Sequence, residues 1–373
     1  MQGAKRILLT YITLNSGHHM ASCAIENALK QISPNTQTLN INALGYTNPI
    51  LEKIINKTYM TVIRNKPEVW EYLYDNPKVL KGVQGMREAI HRFNSKKLKK
   101  LLEDFKPDAV VCTQAFPCGM VADYKRNSNL KLPLVGVLTD HAPHAYWIFP
   151  DVDYYVMPSE ISRAKFIKNG INPLRIKTFG VPIDLRFSKK HDKRELCDKL
   201  GFDTQKPIVL IMGGSQGLGP VESIVNALEG IEIDFQLAAI CGINTKLKNM
   251  LSKRARKYRK KFVVFGHVDN VDELMEISSM VITKPGGLTT TEALAKDLPM
   301  IIVRPIPGQE LKNTEFLLSQ GVALRAQDRE DIAALVKELL LKSNNKLMEM
   351  RTRAAELKKP NAAMDIAELL LNM

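Results

Sequence analysis

The sequence predicts an α/β protein of two Rossmann-like domains facing a central cleft. Three observations carry that prediction. Short apolar runs alternate with helical patterns, the alternation breaks at a polar stretch, and it then restarts. The strand runs are also near-continuously apolar, the pattern of parallel sheets covered on both faces. A chain of 373 residues, 45% hydrophobic and 25% charged, has material for two such cores.

The elements follow in order. "RILLTYIT" is a strand, "MASCAIENALKQI" a helix and "TQTLNIN" a second strand. Helical patterns occupy most of the stretch from Pro49 to Lys106. Strands return at "DAVVCT", "LPLVGVLT" and "VDYYVMP". The helix "EISRAKFIKNG" stops at Gly170, and "IKTFGVP" is the last strand of this half. Residues 1–183 therefore form a first domain. The polar stretch 184–206, with one short helix in it, is the crossover. Residues 207–358 form a second domain, with strands at "PIVLIMGG", "FQLAAICG", "FVVFGH", "MVITK" and "MIIVRP". The segment 359–373 is an amphipathic helix able to pack on either domain.

The bulk numbers narrow the function. A net charge of +14 points to an anionic partner: nucleic acid, an anionic membrane or a phosphorylated ligand. Nothing resembles a helix-turn-helix or an aromatic-plus-basic RNA motif, so nucleic acid is set aside. Five scattered cysteines form no CxxC pair, which suggests neither a disulfide framework nor a zinc site and suits a reducing cytoplasm. The first apolar run breaks at Asn15-Ser16-Gly17 and reads as a strand, not a signal peptide. No stretch approaches the ~20 apolar residues of a membrane span, so membrane contact is expected to be peripheral.

Two strand-to-helix junctions of the second half suit phosphate. In "MGGSQGLGPVES", Gly213, Gly214, Gly217 and Gly219 permit positive φ and close backbone approach just before a helix. The spacing is neither GxxxxGK[ST] nor GxGxxG, which argues against a P-loop or a dinucleotide fingerprint. In "KPGGLTTTEA", Gly286 and Gly287 leave a strand, and Leu288 and Thr289 open a helix with free amides. A diphosphate between two such helix ends needs no metal. Glu292 is expected in the first turn, either accepting from a ribose diol or as a plain helix-start carboxylate. In "RPIPGQELKN", Gln309, Glu310 and Asn313 either hold a ring of hydroxyls or form a solvated cap.

Histidines mark the first half. His18 stands where the first strand meets the first helix, either as a general base or as a capping histidine, with His19 beside it. "LTDHAPHAYWIFP" places Asp140, His141 and His144 after a buried strand. Two histidines and a carboxylate beside aromatics are thin grounds for a metal site, so an acceptor-side or structural role is preferred.

These stretches, with "CGINTKLKNML", "FGHVDNVDELMEISSMVITKPGGLTTTEA" and "LPMIIVRPIPGQELKN", resemble the monogalactosyldiacylglycerol synthase family, above all its bacterial processive diacylglycerol glucosyltransferases. The likeness spans most of the C-terminal half, and "SGHHMASCAI" and "PLVGVLTD" extend it into the first. "GGSQG" and the Gly-Gly…Thr-Glu helix start are also similar to the lipid II N-acetylglucosaminyltransferase. The resemblance implies a GT-B fold and an inverting, metal-independent hexosyltransferase without a cofactor. Its donor is UDP-glucose or UDP-galactose and its acceptor a diacylglycerol-type lipid. It implies His18 as the base and His19 and Asp140 on the acceptor side. Ser215 and the amides of Gly286, Gly287, Leu288 and Thr289 would hold the diphosphate, with Gly214 and Gln216 also at the donor site. Glu292 would hold the ribose, Gln309 and Glu310 the hexose, and the backbone at Val268 the uracil, with Asn313 also at the donor site. One departure is Ser16, where the family carries a glycine two residues before that histidine, and the doubled histidine leaves His19 as the alternative base.

A lipid acceptor implies work at the cytoplasmic face of the cell membrane. Trp70, Tyr72, Tyr74 and Phe93 with Lys96, Lys97, Lys99 and Lys100 either meet an anionic membrane surface or form ordinary solvated helices. Two alternatives stay open: a glycosyltransferase acting on another lipid-linked or small-molecule acceptor, and a UDP-sugar epimerase of the same fold.

Overall fold

The computed structural model describes residues 4–65, 95–142, 144–214, 217, 219–341 and 345–373. It divides into two compact units. The first comprises Met1–Leu185, Ile306–Gln309 and Lys359–Met373, and the second Arg186–Pro305 and Glu310–Lys358. Each is an α/β layer structure around one parallel sheet.

In the first unit the strands are β1 (Arg6–Tyr11), β2 (Gln37–Asn42), β3 (Ala109–Cys112), β4 (Leu134–Val137), β5 (Tyr154–Val156) and β6 (Ile176–Lys177). They lie in the order β2-β1-β3-β4-β5-β6. The helices are α1 (Gly17–Ile32), α2 (Ala43–Thr47), α3 (Pro49–Asn65), α4 (95–105), α5 (Ala115–Ser128) and α6 (Glu160–Lys168). Both faces of β1 are buried, as its unbroken apolar run requires. Ile7 and Leu9 pack with Ala24, Ile25, Ala28 and Leu29 of α1, whereas Leu8 shares the opposite core with Leu98, Leu101 and Leu102 of α4. The C-terminal helix, the last of the chain, stacks against α1 and adds Ala363, Ile366, Ala367 and Leu370 to that first face.

The last strand of this unit is shorter than the sequence suggests. Pairing to β5 covers only Ile176 and Lys177, after which Gly180 takes φ +103°. A Cβ there would stand 2.5 Å from Cβ of Lys359, so the chain turns where the C-terminal segment crosses it.

The second unit holds β7 (Ile208–Met212), β8 (Gln236–Ile240), β9 (Phe262–Phe265), β10 (Met280–Thr283), β11 (Met300–Val303) and β12 (Ala323–Ala326), in the order β12-β11-β10-β7-β8-β9. Its helices are α7 (Lys193–Leu200), α8 (Val221–Leu228), α9 (Thr245–Ala255), α10 (Val271–Ile277), α11 (Gly287–Ala295), α12 (Gln309–Ser319, whose first residue, Gln309, counts with the first unit), α13 (Arg329–Leu340) and α14 (Lys346–Leu357). The C-terminal helix of the first unit is α15 (Ala362–Leu371). Strand β12 was not anticipated: it is an edge strand of four residues whose exposed Arg325 interrupts the apolar run. The polar crossover contains α7, which Asp192 caps at its start and Gly201 closes with φ +76°.

Candidate functional site

The second sheet reverses its strand order between β7 and β10, where Met212 lies opposite Thr283. Both glycine loops leave the sheet from these two neighbouring carboxyl ends. That is where ligands of doubly wound sheets collect.

The loop after β7 is shaped by close approach. Gly217 has φ +61°, and a Cβ on it would lie 2.1 Å from the Cys241 carbonyl oxygen. Asn244 Nδ2 donates to the Gly217 carbonyl at 3.2 Å, and the Gly217 amide donates to Gly214 at 2.9 Å. Gly214 differs: its φ is +78°, yet a Cβ there would meet nothing within 4 Å. Gly214 therefore presents bare backbone to open space. Ser215 and Gln216 lie outside the described residues, as do Trp70, Tyr72, Tyr74 and Phe93.

The two helix starts are not equivalent. Helix α8 begins without a side-chain cap, but the Val221 amide is taken by Gly219 and Glu222 stands in the first turn. Helix α11 also lacks a side-chain cap and has no acidic residue in its first turn. The Gly286 amide turns to the Lys284 carbonyl at 3.0 Å, so the amides left without an intrahelical acceptor are those of Gly287, Leu288 and Thr289. Space in front of Gly286 is open. Thr290 and Thr291 turn their hydroxyls back to the carbonyls of Gly286 and Gly287, at 2.9 and 2.7 Å. The α11 end is thus the better anion seat of the pair. Glu292 falls in the second turn, not the first as expected, because the helix starts only at Gly287. That removes its carboxylate from the phosphate-facing end.

Side chains of α12 strap this turn in place. Glu310 pairs with Lys284 Nζ at 3.3 Å, and Asn313, on the same face one turn on, donates to the Pro285 carbonyl at 3.1 Å. Asn313 is 0% exposed, so it positions the 284–287 turn and is not part of a solvated cap. Lys284 was not singled out from the sequence; only its place immediately before Pro285-Gly286-Gly287 hinted at it. Val268 lies half-buried in the turn after β9.

In the first unit the strand order reverses between β1 and β3, with Thr10 opposite Cys112. His18 sits at that point, in the first turn of α1. Ser16 caps the helix, accepting from the His19 amide at 3.2 Å while its hydroxyl donates to the Thr13 carbonyl at 2.7 Å. Serine thus supplies a cap where the family pattern has glycine. His18 Nδ1 lies 2.9 Å from the Thr113 carbonyl oxygen and 2.9 Å from Thr139 Oγ1, and the Thr113 hydroxyl donates to the His18 carbonyl at 2.8 Å. A carbonyl can only accept, so Nδ1 carries the proton and Nε2 the lone pair. Burial lowers the pKa of His18, against the pull of Asp140 and the Thr113 carbonyl. The imidazole is therefore neutral at neutral pH, the form a base must have.

His19 has the opposite tautomer. Its Nδ1 accepts from the Asn15 amide at 3.2 Å, Nε2 faces Cys23 Sγ at 3.4 Å, and the ring stacks on Tyr11 at 4.3 Å. Nδ1 thus holds the loop before α1, and Nε2 is engaged within the helix itself. Asp140 accepts from Gln309 Nε2, which belongs to the same unit. Its neighbour His141 is 5% exposed, its pKa pushed down to about 4 by burial, and its carbonyl accepts from Ser162 Oγ at 2.8 Å. His141 is a neutral core residue.

Residues 18–183 match the family model described as monogalactosyldiacylglycerol (MGDG) synthase, and residues 208–370 the one described as glycosyltransferase family 28 C-terminal domain. The chain is 28% identical over 364 residues to a Bacillus licheniformis protein named processive diacylglycerol beta-glucosyltransferase, covering 97% of this chain and 94% of that one. It is 27% identical over 373 residues to the Bacillus subtilis protein of that name, covering 100% and 96%. Among solved structures, Acinetobacter baumannii MurG aligns with a TM-score of 0.65 at 15% identity, over 99% of this chain and 100% of that one. A Neisseria meningitidis UDP-GlcNAc 2-epimerase aligns at 0.60 and 14%, over 99% and 100%. The fold is GT-B.

Proposed function

We propose that this chain, which belongs to the glycosyltransferases joining a monogalactosyldiacylglycerol synthase domain to a family 28 C-terminal domain, moves a hexose from a UDP-sugar to a diacylglycerol-type lipid. The acceptor class and the donor rest on the name shared by relatives that match nearly the whole chain. That name favours glucose over galactose. It also supports inversion: the diphosphate of UDP-glucose is α-linked, so a β-glucoside follows from a single displacement.

On this reading the acceptor oxygen bonds to the anomeric carbon as the bond to UDP breaks. The acceptor proton passes to His18 Nε2, and the departing diphosphate rests against the amides of Gly287, Leu288 and Thr289. The observation that carries the donor reading is the uncapped start of α11, with open space before Gly286, at the reversal of the second sheet. Glu292 would take the ribose hydroxyls, Glu310 and Gln309 the hexose, and the backbone at Val268 the uracil. No metal enters this scheme, because helix amides neutralise the phosphates.

Work at a membrane is supported by α4, on which Lys96, Lys97, Lys99 and Lys100 are exposed while Leu98, Leu101 and Leu102 are buried. Among the described residues no helix is long and apolar enough to cross a membrane. We place the enzyme peripherally, on the cytoplasmic face.

The test is incubation with labelled UDP-glucose or UDP-galactose, with and without diacylglycerol, in EDTA. A lipid-soluble glycoside formed only with diacylglycerol is expected, in better yield from UDP-glucose. An altered or released sugar without acceptor would identify an epimerase, and a strict need for divalent metal would overturn the amide-based account.

A further inference from the structure

Thr139 is buried, 4% exposed, two residues beyond β4, and among the described residues its hydroxyl bonds His18 Nδ1 at 2.9 Å. The Thr113 carbonyl reaches the same nitrogen from the end of β3. Three separate elements, α1, β3 and β4, thus converge on one nitrogen atom. Among the described residues no carboxylate bonds it, so the arrangement is not the carboxylate–histidine pairing common among enzymes that use a histidine base.

We infer that Thr139 is a positioning residue: with the Thr113 carbonyl it holds His18 in the tautomer whose Nε2 lone pair is free, and it stabilises the imidazolium formed when Nε2 takes a proton. The inference rests on the reading of His18 as base and deepens it. In the neutral ring the Nδ1 proton is shared by two oxygens. Once Nε2 is protonated the ring is charged, and both hydrogen bonds strengthen. The proton is already on Nδ1, so it need not move during the reaction; only the Nε2 proton is gained and later returned to solvent. The charged group that acts on His18 is Asp140, next to Thr139 on the same loop, and its attraction adds to that of the two oxygens. Burial works against all three.

Valine matches threonine in shape and removes only the hydroxyl. Thr139→Val should lower kcat by roughly 10- to 100-fold, the effect of losing one hydrogen bond to a charged group, with KM for UDP-glucose unchanged. Loss of a bond that favours the charged ring should also move the acid limb of the kcat–pH profile down by about one unit. Thr139→Ser should restore both. A merely structural role would lower kcat without this directed shift of the limb.

His18→Ala run alongside separates the two readings. An inactive His18→Ala with a Thr139→Val indistinguishable from the natural protein overturns the inference and leaves the base intact. A fully active His18→Ala overturns the base reading itself. If Thr139→Val does not fold, nitrogen-15 NMR of the unmodified protein labelled at histidine decides: a protonated Nδ1 on His18 is expected, and a protonated Nε2 with bare Nδ1 overturns the inference.

Discussion

Replacing Gly217 by alanine tests whether the loop after β7 owes its shape to one close approach. The added Cβ would stand 2.1 Å from the Cys241 carbonyl oxygen, against about 3.3 Å for an ordinary carbon–oxygen contact. Cys241 cannot withdraw freely, because its amide donates to Phe265 at 2.9 Å across the sheet. The loop must therefore move by about 1 Å, weakening the bonds from Asn244 to Gly217 and from Gly217 to Gly214, each contributing about 1 kcal/mol. Alanine at φ +61° costs about 1 kcal/mol more. A loss of about 3 kcal/mol should lower the melting transition of the second unit by about 6–12 °C. Gly214→Ala is the control: its φ is also positive but its surroundings are open, so only the conformational term of about 1 kcal/mol applies. Calorimetry gives the melting temperatures, and titration with UDP gives the affinity. Gly217→Ala should lose stability and UDP affinity together. Equal melting temperatures for the two variants, or unaltered UDP binding in Gly217→Ala, would refute the reasoning.

His18→Ala should reduce turnover by ~10²–10⁴-fold while UDP affinity holds, and His19→Ala should act mainly on stability; single-turnover kinetics beside UDP titration tells them apart. His141 should make the fold pH-sensitive. Its pKa falls from about 6.5 unfolded to about 4 folded, so the unfolded chain binds more protons between these values. The corresponding stability is fully present above pH 6.5 and is lost as pH falls towards 4, on the order of 3 kcal/mol in all. His18, also lowered, adds in the same direction. Urea melts at several pH values should show this slope, and it should flatten in His141→Gln; an unchanged slope would discard the assignment. Replacing Lys96, Lys97, Lys99 and Lys100 by serine should remove about 1 kcal/mol of attraction to anionic vesicles per residue, measured by co-sedimentation. Salt should erase the difference, and equal binding of both proteins to anionic vesicles at low salt would exclude α4 as the membrane face.

Much of the framework was readable from local pattern. Short apolar runs such as "PIVLIM" and "MVIT", rich in β-branched residues, read as strands buried on both faces, and each is one. Gly-Gly at 286–287 marked a helix start that no side chain caps, which the structure bears out. Glu292 was misplaced by a turn because helix boundaries depend on which amide first lacks an acceptor, and that is set by the bend at Lys284. Asn313 read as either a sugar contact or part of a solvated cap, because a polar side chain on a helix start is ordinarily solvated. Its burial against Pro285 follows from the packing of α12 on a turn nearly thirty residues earlier.

The sequence by itself determined the two parallel sheets, the placement of glycines where backbone must come close, and the histidine pair at the first strand–helix junction. Which histidine has a lone pair to offer was decided only by tertiary structure. His18 and His19 are adjacent and chemically identical, and no local rule separates them. Their tautomers are set by oxygen atoms of Thr113 and Thr139, about a hundred residues away in sequence, and by the Asn15 amide. A hydrogen bond is directional and short-ranged, so it exists only once the sheet has brought the ends of β1, β3 and β4 side by side.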